Sequence, residues 1–276
     1  MAAPFFGELV NTIFTEVQTF VDGDGQIFGA AVFTTGLVIH ALLGGAELAT
    51  GQPSRLVSGK FWVRVVFVGG LLVSFDQIFL VFTKTICTSS MNEFFPAWIS
   101  IWKQMVTNMQ GMMDGYSKSQ SAQSGGVMSL LNMGTAAFFL GITQAGSLIL
   151  AVIVSLLAVI LMLLNGIFGL GTAALVVCFA PICIPFAIHE ATEGIALSYI
   201  KTWLSYAVLY LPILLIAMKM ATAVSLAVFT ASNQLMVSPN MQFGDILAQC
   251  LVMMLGPLCG LGILISAPML VKSVLR

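Results

Sequence analysis

Residues 148–164 read LILAVIVSLLAVILMLL, with a single serine and no charged side chain. Strands of a membrane barrel alternate apolar and polar residues over about 10 positions. This run does not alternate, so it reads as helix. The run sits inside a longer stretch, from Lys118 to Glu190, that contains no Asp, Glu, Lys or Arg between those two residues. A helix rises about 1.5 Å per residue and needs about 20 apolar residues to cross the hydrocarbon core, so that stretch has room for more than one crossing.

The composition extends this reading to the whole chain. Of 276 residues, 59% are hydrophobic and only 8% are Asp, Glu, Lys or Arg, with a net charge of −1 and a mean hydropathy of +1.03. Soluble domains carry roughly a quarter charged residues, so a globule of this composition could not cover its own surface. Sequence-specific nucleic-acid binding is excluded on the same grounds, because no basic stripe is present to neutralise phosphates. The five cysteines, Cys87, Cys178, Cys183, Cys250 and Cys259, fall mostly inside apolar segments and form neither a disulfide framework nor a zinc spacing. The fold class is all-α, a polytopic helical membrane protein.

Along the chain, residues 4–21 are amphipathic at helical period. Phe6, Val10, Ile13, Val17 and Val21 fall on one face, away from Glu8, Thr12, Thr15, Glu16 and Thr19. No basic region precedes an apolar core here, so no cleavable signal peptide is expected. Asp22-Gly23-Asp24-Gly25 is expected to break this helix. A first span is expected over about 27–49 and a second over about 61–82, joined by a short loop flanked by Arg55, Lys60 and Arg64. The positive-inside rule then places the loop in the cytoplasm and the N-terminus outside. Residues 83–126 read as an external interfacial segment, EFFPAWISIWKQMVTNMQGMM at its centre and a flexible Ser/Gln/Gly connector at its end. A long helix follows to a break at Asn165-Gly166. Residues 167–188 carry Pro181 and Pro185, which should kink or unwind them. Further spans are expected over about 203–229 and 245–271. If 167–188 re-enters, six basic residues lie inside and three outside; if it crosses, the balance reverses. The preferred organisation is therefore five full spans plus a proline-broken re-entrant hairpin, with six spans as the alternative. It divides into an external N-terminal helix (1–25), a two-span hairpin (26–82), the external segment (83–126) and a C-terminal membrane bundle (127–276).

Ionisable residues inside spans are costly and are the first candidates for function. Asp76 and Lys219 both lie in the outer half under the five-span topology and are expected to pair; His40 reads as a hydrogen-bonded interior histidine. The stretch His189-Glu190-Ala191-Thr192-Glu193 lacks the second histidine of a zinc helix, so no metal site is expected. No nucleophile–base arrangement is present, and neither an enzymatic activity nor a cofactor is expected. Trp98, Trp102, Met105, Met109 and Met112, at helical spacing in the external segment, offer an adaptable surface for an apolar partner. Gly256 and Gly260 have the spacing of a helix-packing motif.

Residues 174–215, ALVVCFAPICIPFAIHEATEGIALSYIKTWLSYAVLYLPILL, combine an apolar run, a proline break, a short polar turn and a tryptophan opening the next helix. With two early spans and an external segment before it, this arrangement resembles the TrbL-like polytopic inner-membrane components of bacterial type IV secretion and conjugation machines. Pro181, Pro185 and Trp203, with His189 and Glu190 in the turn between them, are the matching positions. The order of elements resembles the family over roughly residues 25–230. The resemblance implies a non-enzymatic platform or channel component in the bacterial inner membrane, multi-pass, with its N-terminus periplasmic. It implies as partners pilin and minor pilin subunits, secretion ATPases, periplasmic core components and further copies of itself in a ring-like homo-oligomer. The alternative reading is a stand-alone transporter or channel whose substrate site is the 167–193 break.

Overall fold

A computed structural model of the chain describes residues 2–123, 135–235 and 243–274. Among the described residues every regular element is helical. They run α1 (Ala2–Phe20), a π-helical turn (Val21–Gly25), α2 (Gln26–Ala49), a 3-10 turn (Arg55–Val57) and α3 (Gly59–Val73). A second π-helical turn (Asp76–Val81) leads into α4 (Phe82–Gln123). Then follow α5 (Thr135–Cys178), the single turn α6 (Ala180–Cys183), a 3-10 segment (Ile184–Ile188) and α7 (Glu193–Trp203). A third π-helical turn (Leu204–Leu209), α8 (Tyr210–Leu235) and α9 (Phe243–Val274) complete the chain.

Four helical stretches among the described residues are long and apolar enough to cross a membrane: Gly7–Ala49, Gly146–Ile188, Glu193–Ala231 and Leu247–Val271. A pair bent by 57°, Gly59–Val73 with Gln77–Gly111, raises the number to as many as five. The chain is an all-α membrane protein. Its large apolar side chains lie outward along these stretches, as a bilayer requires: Ile27, Phe28, Val38 and Leu42 on α2, Val63, Val66 and Phe67 on α3, and Ile149, Ile153 and Leu157 on α5 are all exposed.

Three expected breaks are absent. Asp22–Gly25 is a π-helical turn that carries α1 into α2, so Gly7–Ala49 is one helical stretch of 43 residues. The segment contains no proline, every amide can still donate, and the helix bridges it at the cost of one wider turn. α5 runs unbroken through Asn165 and Gly166. Gly166 serves close packing there, since a Cβ on it would stand 2.5 Å from the Phe94 ring. α4 continues to Gln123 and so includes the start of the tract expected as a flexible connector; the rest of that tract lies outside the described residues. The expected break at the prolines is present. α5 ends at Cys178, and Pro181 and Pro185 each occupy the first positions of a short new turn.

The chain divides into two compact units. The first comprises Met1–Asn92, Ile167–Ile213 and Leu270–Arg276; the second comprises Glu93–Gly166 and Leu214–Met269. In the first unit Val10, Phe14, Val17 and Val21 line the buried face of the N-terminal helix. Three of these belong to the face that the helical period marks in the sequence. α2 is unusual, for the only residues it buries are Gly29, His40 and Gly44. It docks through a stripe without large apolar side chains, so backbone approaches backbone.

The second unit packs α4, α5, α8 and α9 with small residues and hydroxyls at the contacts. The Trp98 indole N–H donates to the Val159 carbonyl at 2.8 Å, and the Ser225 hydroxyl donates to the Gly256 carbonyl at 3.1 Å. Pro257 lies inside α9 and deprives the Met253 carbonyl of its usual amide donor; the Ser155 hydroxyl donates to that carbonyl at 3.1 Å. Gly260 admits Met162, whose Cε would lie 2.7 Å from a Cβ there, which fits the packing role that its spacing from Gly256 suggests.

Candidate functional site

The proline-broken helix end in the first unit gathers a cluster of polar contacts. Pro181 and Pro185 are buried, and the chain leaves the helix at His189, whose backbone is extended. The His189 carbonyl then accepts from the amides of Thr192 and Glu193, at 3.1 and 2.9 Å, and so starts α7. The Thr192 hydroxyl turns back to donate to the Phe186 carbonyl at 2.7 Å. These three bonds satisfy backbone groups that a helix end would otherwise leave open.

The broken segment lies along the stripe of α2. A Cβ on Gly29 would stand 2.5 Å from the Pro181 carbonyl oxygen, and one on Gly36 would meet the His189 ring at 3.6 Å. His189 Nε2 donates to the Gly36 carbonyl at 2.8 Å, which fixes the hydrogen on that nitrogen. His40 stacks on Phe61 with ring centroids 3.4 Å apart, and its ring is 5.6 Å from that of His189. Both histidines of the chain therefore meet at this turn. At the far end of the stripe Gly44 admits Leu56, and the Ser54 hydroxyl donates to the Gly44 carbonyl at 2.9 Å.

Charge enters from α3. The Arg64 guanidinium, 29% exposed, pairs with Glu193 at 2.9 Å and more loosely with Glu190 at 3.7 Å; Glu190 is 80% exposed. Further along α7, Tyr199 donates its hydroxyl to the Val176 carbonyl at 3.1 Å. Trp203 is buried, donates its indole N–H to the Thr83 hydroxyl at 3.1 Å, and packs edge-on against Phe79. The sequence residues Pro181, Pro185, His189, Glu190 and Trp203 thus fall within one unit, tied together by Arg64, Thr83 and the α2 glycines. The sequence shows those glycines only as a spacing of 7, 4 and 4 through Gly29, Gly36, His40 and Gly44. Arg64 shows only as a cation four residues inside a span.

In the second unit Lys219 donates to the Glu93 carboxylate, and the two side chains are 58% and 54% exposed. The side chain of Asp76, expected as the partner of Lys219, lies outside the described residues. Trp98 and Trp102 stack on each other at 5.9 Å and are half-buried, as is Met109, while Met105 is fully buried. The side chain of Met112 lies outside the described residues. Among the described residues no group of three or more His, Cys, Asp and Glu side chains is placed to hold a metal ion.

No protein-family model matches the chain, and no curated protein matches it with significance.

Proposed function

We propose that the chain is a non-enzymatic inner-membrane platform and channel component of a bacterial type IV secretion machine, supporting pilus assembly and substrate translocation. Its partners on this reading are further copies of itself, pilin and minor pilin subunits, the secretion ATPases and the periplasmic core. One observation favours a multi-subunit setting over a chain working alone in lipid. On α5 and just past its end, exposed apolar side chains run from Ile149 through Ile153, Leu157, Leu164, Phe168 and Leu175 to Phe179. At about 1.5 Å per residue this stripe is about 45 Å long, against a hydrocarbon core of about 30 Å. Fitting it by tilt alone takes about 48°, beyond the range of about 0–40° that membrane helices adopt. Protein covering one end of the stripe accounts for the remainder. The resemblance carried by Pro181, Pro185 and Trp203 names the kind of assembly.

The topology that goes with this reading has five crossings; the separate re-entrant hairpin expected at 167–188 gives way to the last part of one long crossing, because α5 runs unbroken to Cys178. The Arg64 pairs with Glu190 and Glu193 support it, because they put the 189–193 turn beside the Arg55–Arg64 loop. With the N-terminus periplasmic, that loop and the turn are both cytoplasmic, and the six basic residues Arg55, Lys60, Arg64, Lys201, Lys272 and Arg276 are inside.

Cells lacking the protein should lose pili and substrate transfer, and cells producing Trp203→Phe should retain both. Normal pili and transfer in cells lacking the protein altogether would overturn the proposal. The alternative of a stand-alone transporter draws on the broken helix at Pro181–Ile188 beside charged Arg64. Solute uptake by liposomes holding only this chain would favour it.

A further inference from the structure

The outward face of α4 in the second unit is hydrophilic where a lipid-facing helix would be apolar. Phe94, Phe95, Ile101, Met105 and Asn108 are buried, while Glu93, Lys103, Thr107 and Gln110 are exposed and Ser100 is half-exposed. Glu93, Ser100, Lys103, Thr107 and Gln110 follow one another at spacings of 7, 3, 4 and 3, a single stripe along one side of a helix. This face belongs to a helix packed at the level of the most apolar one. The Trp98–Val159 hydrogen bond joins α4 to the middle of the uncharged run 148–164, whose Leu157, Ile160 and Leu161 are exposed on their own side.

Lys219 makes the same point from another helix. It stands at the centre of residues 209–229, which hold no other Asp, Glu, Lys or Arg. In the span 203–229 it lies about 15 Å from the nearer end, too deep for its four-carbon stem to bring the ammonium to the headgroups. Its partner Glu93 begins the α4 stripe, and the pair is more than half exposed. An ion pair opened to acyl chains at that depth is expensive, and intramembrane charges face protein or water-filled cavities instead.

We propose that the stripe Glu93, Ser100, Lys103, Thr107 and Gln110, with Lys219 beside its start, lines a water-filled passage enclosed by further copies of this chain. The stripe holds one carboxylate and one ammonium, and Lys219 adds a second cation, so the wall is polar with little net charge and suits hydrated solutes of either sign. The enclosure by copies rests on the multi-subunit reading above; the wetness of the face does not.

The test uses the full-length chain alone in native membranes, with single cysteines at Ser100, Thr107 and Gln110, and at Leu157 and Leu161 for comparison. A charged, water-soluble thiol reagent is applied, and labelling at each position is read by peptide mass spectrometry, so the native cysteines can stay. The α4 positions should label about tenfold faster or more than Leu157 and Leu161, which should react with a lipid-soluble reagent instead. Equally slow labelling at both sets means the stripe is covered and overturns the proposal. Equally fast labelling at both sets means this level lies in bulk water, and overturns it too. A long homobifunctional thiol crosslinker should join Thr107→Cys copies into covalent oligomers of this chain; labelled stripes without such oligomers overturn the enclosure by copies. No other secretion component is present in these membranes, so failure here leaves the pilus assay to decide the secretion reading separately.

Discussion

Gly29→Ala tests whether α2 is held by backbone approach to the proline-broken segment. A methyl group at Gly29 would stand 2.5 Å from the Pro181 carbonyl oxygen and 3.3 Å from Pro181 Cβ, where ordinary contact begins at 3.4 Å. The neighbour is backbone, so no side chain can swing aside, and the two segments must separate by most of an ångström. Overpacking of this kind costs about 1–3 kcal/mol, and the better helix propensity of alanine returns about 1 kcal/mol. The net effect is a loss of about 0–2 kcal/mol. Gly45→Ala is the matched control, on the same helix with nothing within 4 Å of its would-be Cβ. It keeps only the propensity gain, about 1 kcal/mol of stabilisation. The two variants should differ by the overpacking cost alone, about 1–3 kcal/mol, or on the order of 2–12 °C in Tm for a chain of this size. The assay is thermal unfolding of the purified full chain in one detergent, followed by size exclusion of heated samples. Equal shifts in the same direction for both variants would refute a glycine-specific contact at Gly29.

Trp203→Phe removes the indole donor to Thr83 and leaves an aromatic ring against Phe79, so it should cost about 1 kcal/mol, against about 3–5 kcal/mol for Trp203→Ala. The cost of Trp203→Phe should fall in a Thr83→Val background, where the hydroxyl is already gone; full additivity of the two changes in the same unfolding assay would disprove the bond. For topology, cysteines at Glu190 and Gly51 should react with an impermeant thiol reagent only from the cytoplasmic side, and one at Asn233 only from the periplasmic side. Opposite sides for Glu190 and Gly51 would establish the six-crossing arrangement instead.

Local chemistry in the sequence was enough to identify the helical membrane class, the break at Pro181 and Pro185, and the buried side of the N-terminal helix at Val10, Val17 and Val21. Those features depend on composition, on a missing amide donor or on a period of 3.6, all of which act within a few residues. Asp22–Gly25 and Asn165-Gly166 misled because Asp, Asn and Gly permit a turn without requiring one. Whether the chain turns there is decided by what packs alongside, and at Gly166 that is the Phe94 ring. Glu93 as the partner of Lys219 left no local trace, since 126 residues separate them. The α2 stripe was hidden for a different reason. A helix apolar on all sides has no amphipathic contrast, so its docking face shows only as a glycine spacing, which a search for large apolar residues passes over.

The hydrogen bonds around the broken helix bear on which of the two functional readings the turn suits. A transporter site built on a discontinuous helix leaves unwound carbonyls open to coordinate ions or substrate. Here several carbonyls around the break accept hydrogen bonds from within the same unit. Phe186 accepts from Thr192, Val176 from Tyr199, and His189 from the amides of Thr192 and Glu193. The Pro181 carbonyl, left without its usual donor by Pro185, lies against the α2 backbone at Gly29. The Arg64 guanidinium is paired with Glu193. A break whose neighbouring carbonyls accept from hydroxyls and amides, and whose proline turn is pressed onto a glycine stripe, suits an anchor between helices. Holding two long helices in fixed register is what a platform requires of such a turn.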